Sequence, residues 1–460
     1  MDISNILNGK KHIHFIGIGG SGMYPLAQIL HSKGYYLSGS DNNETETLDA
    51  VRKMGIPVYF GQRAENIEGA DLIVYSAAIM KDNPELVASI ASGVPVLERS
   101  ELLGLVTTWY DNAICVCGTH GKTTTTSMLT QIFVEEGVDL SAVIGGKLPS
   151  IGGSGRAGKS DIMVCEACEF VDTFLKLSPD ISIVLNIDED HLDYFKTLDN
   201  IIMSFRKFCA KTRKAVIING DDTNSLKALE GITGKDIITF GFKDTNDYYP
   251  VITKTAGMQT DFSLMYRDEK ICELSIHVPG IHNVLNAVAA SAAAIYAGVS
   301  IDGIMLGLQT FRGAGRRFEK LGVSGGITVV DDYAHHPAEI KVTLEAAKKL
   351  DFKRVWAVHQ PFTYSRTKLL FDDFVKVLQL SDKTVLTEIM GSRENNTFNI
   401  YSKDLAEKIP GCEWFSTFEE VAAHVADNAQ AGDLVITLGC GDVYKVAKLL
   451  LKLLMERNGD

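Results

Sequence analysis

Cys117-Gly118-Thr119-His120-Gly121-Lys122-Thr123-Thr124 is the stretch from which the fold can be read. The apolar run before it, Ala113-Ile114-Cys115-Val116-Cys117, has the composition of a buried strand, and Thr125-Thr126-Ser127-Met128-Leu129 opens a helix. Strand, glycine loop, Lys-Thr and helix together aim backbone N–H groups at phosphate oxygens. In that arrangement Lys122 reaches the β- and γ-phosphates of a nucleotide, and the Thr123 hydroxyl ligates Mg2+. The loop is shorter than the common phosphate-binding loop, because Val116 stands where its first glycine would be. The segment is read as an ATP site, with Gly118, Thr119, His120, Gly121, Lys122, Thr123 and Thr124 around the phosphates.

The same rhythm of strand, glycine or acidic loop, and helix recurs on both sides. At 460 residues the chain has room for about three domains. Residues 1–108 hold strand signals at His12–Ile18, up to Asp41, and at Ala70–Tyr75, with a helix over Met23–Lys33. Residues 109–312 hold the phosphate loop and strands at Asp161–Cys165, Ile181–Leu185 and Ala215–Asn219, then alternating strands without helices over Tyr248–Val278. Residues 313–460 hold strands at Ile327–Asp331, Arg354–His359, Thr384–Glu388 and Asp433–Leu438. Alternation of strands and helices predicts an α/β protein of three domains, each on a mainly parallel sheet. The first and last are expected to be Rossmann-like and the middle one a P-loop-type ATPase. The patch Gly152-Gly153-Ser154-Gly155-Arg156-Ala157-Gly158 reads as a mobile loop, and Lys448–Leu454 as a helix packed on a core.

Composition narrows the partners. A net charge of −13 opposes general nucleic-acid binding, which needs a basic field, but leaves room for locally bound nucleotides. No apolar run reaches membrane-spanning length and no signal-peptide layout opens the chain, so a cytoplasmic protein with no membrane partner is expected. The eight cysteines fall partly in strands, as Cys115, Cys117 and Cys165 do, and are expected to be reduced. Cys165-x-x-Cys168 has no second pair to make a zinc site.

Four further constellations carry chemistry. Gly17-Ile18-Gly19-Gly20-Ser21-Gly22 follows a strand and precedes a helix, and Asp41 closes the next strand. This is the dinucleotide-binding pattern, and its physics suits NAD or a UDP-linked substrate equally. Glu166 ends one apolar strand, and Asn186-Ile187-Asp188-Glu189-Asp190-His191 follows another, so Glu166 and His191 are candidate metal ligands on adjacent strands. A His among acids is also a common paired surface residue. His282, Asn283 and Asn286 share one side of a helix start, able to read an adenine edge or to cap. Arg316-Arg317, Asp331-Asp332-Tyr333-Ala334-His335-His336 and His359–Thr367 gather at strand ends of the last block, where Arg366 can grip a carboxylate.

Together, GIGGSGM, GTHGKTTTT, EACEF, NIDEDHLDYF, HNVLNA, GAGRRFE, DDYAHHP and HQPFTYSRT closely resemble the signatures of the Mur ligase family, in its order and along the whole chain. The resemblance implies a UDP-sugar domain, a central ATP domain and a C-terminal domain that closes over ATP. It implies an ATP-dependent ligase of peptidoglycan precursor synthesis that joins L-alanine to the lactyl carboxylate of UDP-N-acetylmuramate through an acyl phosphate. A sibling ligase, adding a recycled peptide or a later residue, is the alternative. Carried over residue by residue, it makes Lys122, Glu166 and His191 catalytic, with Thr123, Glu166 and His191 on Mg2+. Asn283, Asn286, Arg317 and Asp332 would face ATP, and Tyr333, His335 and Arg366 the amino acid. Gly19, Gly20, Ser21, Gly22, Asp41 and Arg99 would serve the UDP-sugar. A monomer or weak homodimer is expected. Two departures stand out: Cys168-Glu169-Phe170 replaces the family's frequent Asp-Glu-Ser, and Phe362-Thr363 replaces its His or His-Arg, which bears on amino-acid preference.

Overall fold

A computed structural model of the chain describes residues 6–392 and 394–459. Three sheets are each built mainly from parallel strands, as the alternating pattern predicts. In chain order the first five strands assemble third–second–first–fourth–fifth, from Val58–Phe60 through His12–Ile16 at the centre to Val96–Glu98. All its pairs are parallel. The central strand and its neighbours are largely buried, and the polar groups there, His14, Ser38 and Ser40, are hydrogen-bonded.

The second sheet has ten strands. Asn112–Cys117 lies between Ile181–Val184 and Ile162–Glu166, parallel to both, so three strand exits open side by side. Tyr248–Ala256, Gln259–Tyr266 and Glu269–Ile276 extend one edge, and two-residue connections allow only antiparallel pairing there. The glycine-rich patch is not a loop. Gly153–Arg156 is a strand paired antiparallel to Ser141–Leu148. Its glycines serve close approach: a Cβ on Gly155 would stand 2.4 Å from Pro25 Cβ, and one on Gly158 2.1 Å from the Asp139 carbonyl oxygen. Local composition cannot separate that use of glycine from a flexible one.

By contacts the chain forms two compact units. The first runs to Thr253 and includes Asp261–Ile276 and His282–Phe311, so it holds the first two sheets. One core passes from Ile13 and Phe15 through Leu102 and Val106 to Phe174, Phe205 and Phe208. The helix Arg99–Thr107 presses on the Phe170–Lys176 segment at Gly104, where a Cβ would meet the Lys176 carbonyl oxygen at 2.3 Å.

The second unit comprises Lys254–Thr260, His277–Ile281 and the chain from Arg312 onward. Its six-stranded sheet is parallel except for the edge pair Glu319–Ser324 and Ile327–Asp332. One face carries Ile340, Leu344, Phe374 and Leu378, the other Val421, Val446, Leu450 and Leu454. The C-terminal helix Tyr444–Asn458 thus packs on a core, as its spacing indicates.

Candidate active site

The phosphate loop is shaped by two glycines with positive φ, Gly118 at 141° and Gly121 at 87°. Neither has room for a side chain: a Cβ on Gly118 would approach Leu185 Cβ at 2.9 Å, and one on Gly121 would approach Asn286 Oδ1 at 2.7 Å. Asn186, from the next strand's exit, braces the loop. Its backbone oxygen accepts from Thr119 N–H at 3.0 Å, its Oδ1 accepts from His120 N–H at 2.8 Å, and its Nδ2 donates to the His120 carbonyl at 3.1 Å. The helix Lys122–Glu135 then starts directly from the loop, its N-terminus free of any side-chain cap. Such an end is an anion site.

Lys122 folds back over this loop. Its ammonium donates to the carbonyls of Gly118 at 2.6 Å and Thr119 at 3.0 Å, and pairs with Glu169 at 2.9 Å. Burial opposes its charge most strongly, yet the Glu169 and Glu166 carboxylates, with the Glu169 hydrogen bond, together outweigh it and keep the lysine protonated well above neutrality. Glu169, itself buried, is a site residue that motif reading passed over; its signal was a second acid three residues beyond Glu166.

Glu166 sits at the exit of Ile162–Glu166, where Oε2 accepts from the Thr123 hydroxyl at 2.8 Å and from Gly145 N–H at 2.9 Å. Gly145 must be glycine, since a Cβ there would lie 2.4 Å from Glu166 Oε2. The pair is an oxygen-only donor set on the phosphate side of the loop, which fits Mg2+, an ion that takes one or two protein oxygens and completes its shell with phosphate and water. Among the described residues no three His, Cys, Asp or Glu side chains gather into a fuller metal cage. The His191 ring packs 4.6 Å from Phe170 and its Nε2 lies 3.7 Å from Asp190. It is held with a φ of 53°, in the left-handed region that non-glycine residues adopt at a cost of about 1–3 kcal/mol.

The N-terminal glycine turn is equally constrained. Gly17 has a φ of 84°, Gly20 N–H donates to the Gly17 carbonyl at 3.1 Å, and the Gly20 carbonyl receives Met23 and Tyr24 N–H groups as the helix Tyr24–Ser32 begins. Asp41 accepts from Gly19 N–H at 2.9 Å and from Asn43 N–H at 3.0 Å, so its carboxylate ties the loop together. Arg99 lies over the turn, with Nη1 3.2 Å from where a Gly22 Cβ would be. The Ser21 carbonyl accepts from the Ser154 hydroxyl at 3.1 Å, joining this turn to the strand Gly153–Arg156.

The helix Ile281–Tyr296 brings its amides to the phosphate loop: Asn286 Nδ2 donates to Asn283 Oδ1 at 3.0 Å, and Asn286 faces Gly121. In the second unit, Asp332 accepts from Phe318 N–H and Ala334 N–H, both at 2.8 Å. Burial pushes its carboxyl up to about 6, with Arg317 and those N–H groups pulling the other way. Tyr333 is covered by the guanidinium groups of Arg316 and Arg317, each 5.0 Å from the ring centre. His335 Nδ1 lies 3.1 Å from Glu339 Oε2. Burial alone would raise the Glu339 carboxyl, but His335 and Arg317 hold it well below the usual range. Phe362 closes edge-on to His335 at 6.3 Å, and among the described residues no group hydrogen-bonds the buried Nη1 of Arg366. Glu339 is a support that the motifs do not single out, and Arg316 donates to Asp331 at 2.9 Å.

Family models match these same three regions. Residues 12–108 match the Mur ligase family catalytic domain, residues 116–294 the Mur ligase middle domain, and residues 316–441 the Mur ligase glutamate ligase domain. The chain belongs to the Mur ligase family. Among Mur ligases it is 44% identical to the UDP-N-acetylmuramate–L-alanine ligase of Acetivibrio thermocellus, over 97% of this chain and 96% of that one. The crystal structure of a UDP-N-acetylmuramate–alanine ligase from Thermotoga maritima superposes with a TM-score of 0.84 at 27% identity, covering 97% of this chain and all of that one. A murein peptide ligase from Psychrobacter arcticus superposes with a TM-score of 0.74 at 26% identity, covering 96% and 98%.

Proposed function

We propose that this Mur ligase joins L-alanine to the lactyl carboxylate of UDP-N-acetylmuramate, using ATP, in the synthesis of peptidoglycan precursors. The observation that carries the reading is the end-to-end likeness to UDP-N-acetylmuramate–L-alanine ligases, 44% identity over 97% of the chain. The domain boundaries fitting it are 1–108 for the UDP-sugar, 109–312 for ATP and 313–460 for the amino acid and closure. No helix among the described residues is long and apolar enough to cross a membrane, in keeping with small water-soluble substrates.

The residues suit the chemistry. A carboxylate resists attack by an amine until one oxygen becomes a good leaving group, and phosphorylation by ATP supplies it. Two anions must approach each other in that step, so positive charge has to stand between them. Lys122 and the N–H groups of Gly118–Thr124 supply part of it. Mg2+, held by Thr123, Glu166 and His191, would neutralise phosphate charge when bound. We assign Asn283, Asn286, Arg317 and Asp332 to ATP, with Asn286 near the base and Asp332 on the ribose. Gly19, Gly20, Ser21, Gly22, Asp41 and Arg99 serve the UDP-sugar, Asp41 by holding the glycine turn in shape. Tyr333, His335 and Arg366 serve the amino acid, with the unpartnered Nη1 of Arg366 left for its carboxylate.

The test is phosphate release from ATP and Mg2+ with UDP-N-acetylmuramate and each of L-alanine, glycine and L-serine. Release that requires both the sugar and L-alanine supports the assignment. Release only with a preformed peptide in place of L-alanine would move the chain to the murein peptide ligases.

A further inference from the structure

Just before the helix Pro337–Lys348, the His335 ring is set between two oxygens. Its Nδ1 lies 3.1 Å from Glu339 Oε2 and 3.2 Å from the Tyr333 carbonyl oxygen. A carbonyl oxygen only accepts. Glu339 Oε2 also accepts, from the N–H groups of His335 at 3.1 Å and His336 at 3.3 Å. Burial pushes this carboxyl up, but the hydrogen bond and charge of His335, with Arg317, pull it further down, so it is ionised. A lone pair at Nδ1 would face both oxygens, so Nδ1 carries the proton. In the neutral ring the lone pair is therefore on Nε2. The His335 side chain is 22% exposed, and among the described residues no group hydrogen-bonds Nε2, so that atom is open to an incoming molecule.

The same unit holds a cation without a counter-ion. Among the described residues Arg366 makes no ion pair, and no group hydrogen-bonds its buried Nη1. A buried guanidinium nitrogen is costly to leave open unless an anion completes it. Neighbours link it to His335: Phe362, on the same loop as Arg366, closes edge-on to the His335 ring, and the Cys440 thiol feels the charges of both Arg366 and Glu339. An α-amino acid that gives its carboxylate to Arg366 carries its nitrogen on the next carbon, so an ammonium enters with it. The other groups facing this space are poor bases. Burial pushes the Cys440 thiol up to about 12 and raises the Tyr333 phenol, so both are neutral. His359 is fully buried and pushed down to about 4, and Glu339 is engaged by three N–H groups.

Resting on the ligase reading above, we propose that His335 Nε2 takes the proton that the amino acid's ammonium must lose, and that Glu339 is the positioning residue that keeps the ring's own proton on Nδ1. The proton passes from the ammonium nitrogen to Nε2, giving an imidazolium balanced by Glu339. The freed lone pair forms the C–N bond at the acyl-phosphate carbonyl carbon. The C–O bond to phosphate breaks with its electron pair, and the nitrogen's surplus proton leaves with the phosphate.

Nitrogen NMR of the full chain, labelled in its histidines, is expected to show the neutral His335 ring as the Nδ1–H tautomer. A second readout compares two nucleophiles with ATP, Mg2+ and UDP-N-acetylmuramate: L-alanine, an ammonium at neutral pH, and hydroxylamine, which is uncharged there and needs no base. The ratio of alanine product to hydroxamate is expected to fall about a hundredfold in His335→Asn and about tenfold in Glu339→Gln, which keeps an acceptor for the helix cap. Both ratios should recover as pH approaches the amine's own pKa, and hydroxamate formation reports that each variant is folded. An Nε2–H ring, a ratio unchanged in both variants, or a loss constant with pH would overturn the proposal. Wild-type protein that makes neither product would overturn the ligase reading, and the proposal with it.

Discussion

The Lys122 ammonium rests 2.9 Å from Glu169, a carboxylate delivered by the turn after the neighbouring strand Ile162–Glu166. In this arrangement the cation that phosphates would attract is already engaged, by two loop carbonyls and one acid. Nucleotide binding must therefore exchange one set of charge-assisted contacts for another, within a loop whose backbone is already set.

Neutralising that acid shifts the exchange. Glu169→Gln leaves the carbonyl bonds of Lys122 in place but removes the negative charge facing the phosphates. ADP is expected to bind about three- to tenfold tighter at low salt without Mg2+, as read by calorimetry. Weaker binding would mean that Glu169 is needed to shape the loop.

Lys122→Ala should abolish turnover, by at least about a thousandfold, because transferred phosphoryl charge loses its fixed cation. The glycine turn at Gly17–Gly22 is on a different sheet. UDP-N-acetylmuramate affinity, measured by calorimetry, is expected to stay within about twofold; a large loss would contradict the division of labour between the two sheets.

Glu166→Gln keeps an oxygen for the Thr123 hydroxyl and Gly145 N–H while removing the charge that would hold Mg2+. The Mg2+ concentration for half-maximal activity is expected to rise about tenfold or more, and excess Mg2+ should restore part of the rate. A rate lost equally at all Mg2+ concentrations would argue against a metal role.

Stability should carry a pH signature from His359. Its ring is fully buried, its Nδ1 donates to the Leu438 carbonyl at 2.9 Å and, among the described residues, Nε2 has no hydrogen-bond partner, so it is held neutral. Burial pushes its pKa down to about 4, against 6.5 for the ordinary ring. Between those values the unfolded chain takes up a proton that the folded ring refuses. The stabilisation is therefore complete above about pH 6.5 and lost as pH falls toward 4, by on the order of 3 kcal/mol. Urea midpoints at pH 7 and 4.5 should differ less in His359→Asn, which keeps the donor and removes the titration.

Most of the architecture was legible because the signals are local. Val116, Cys117 and the glycines after them specify strand, turn and helix within a dozen residues. Strand exits such as Glu166 announce themselves by an apolar run ending in a charge. The glycines of 152–158 were misread for the opposite reason. Their use, close packing on Pro25 and on the Asp139 backbone, depends on residues far away in sequence. Glu169 and Glu339 were passed over because a carboxylate's role lies in its partner, Lys122 or His335, and nothing within their own segments names that partner.

The chain by itself determined the class of fold, the family and the positions of both glycine turns, since each rests on backbone geometry that short residue patterns impose. Tertiary structure alone decided that Asn186 braces the loop and that Asp41 ties the N-terminal turn. It also brought Arg99 to Gly22. Those are distances between side chains on separate strands and helices. They come from how sheets stack and helices cross, which is set by the packing of the whole core rather than by any one segment.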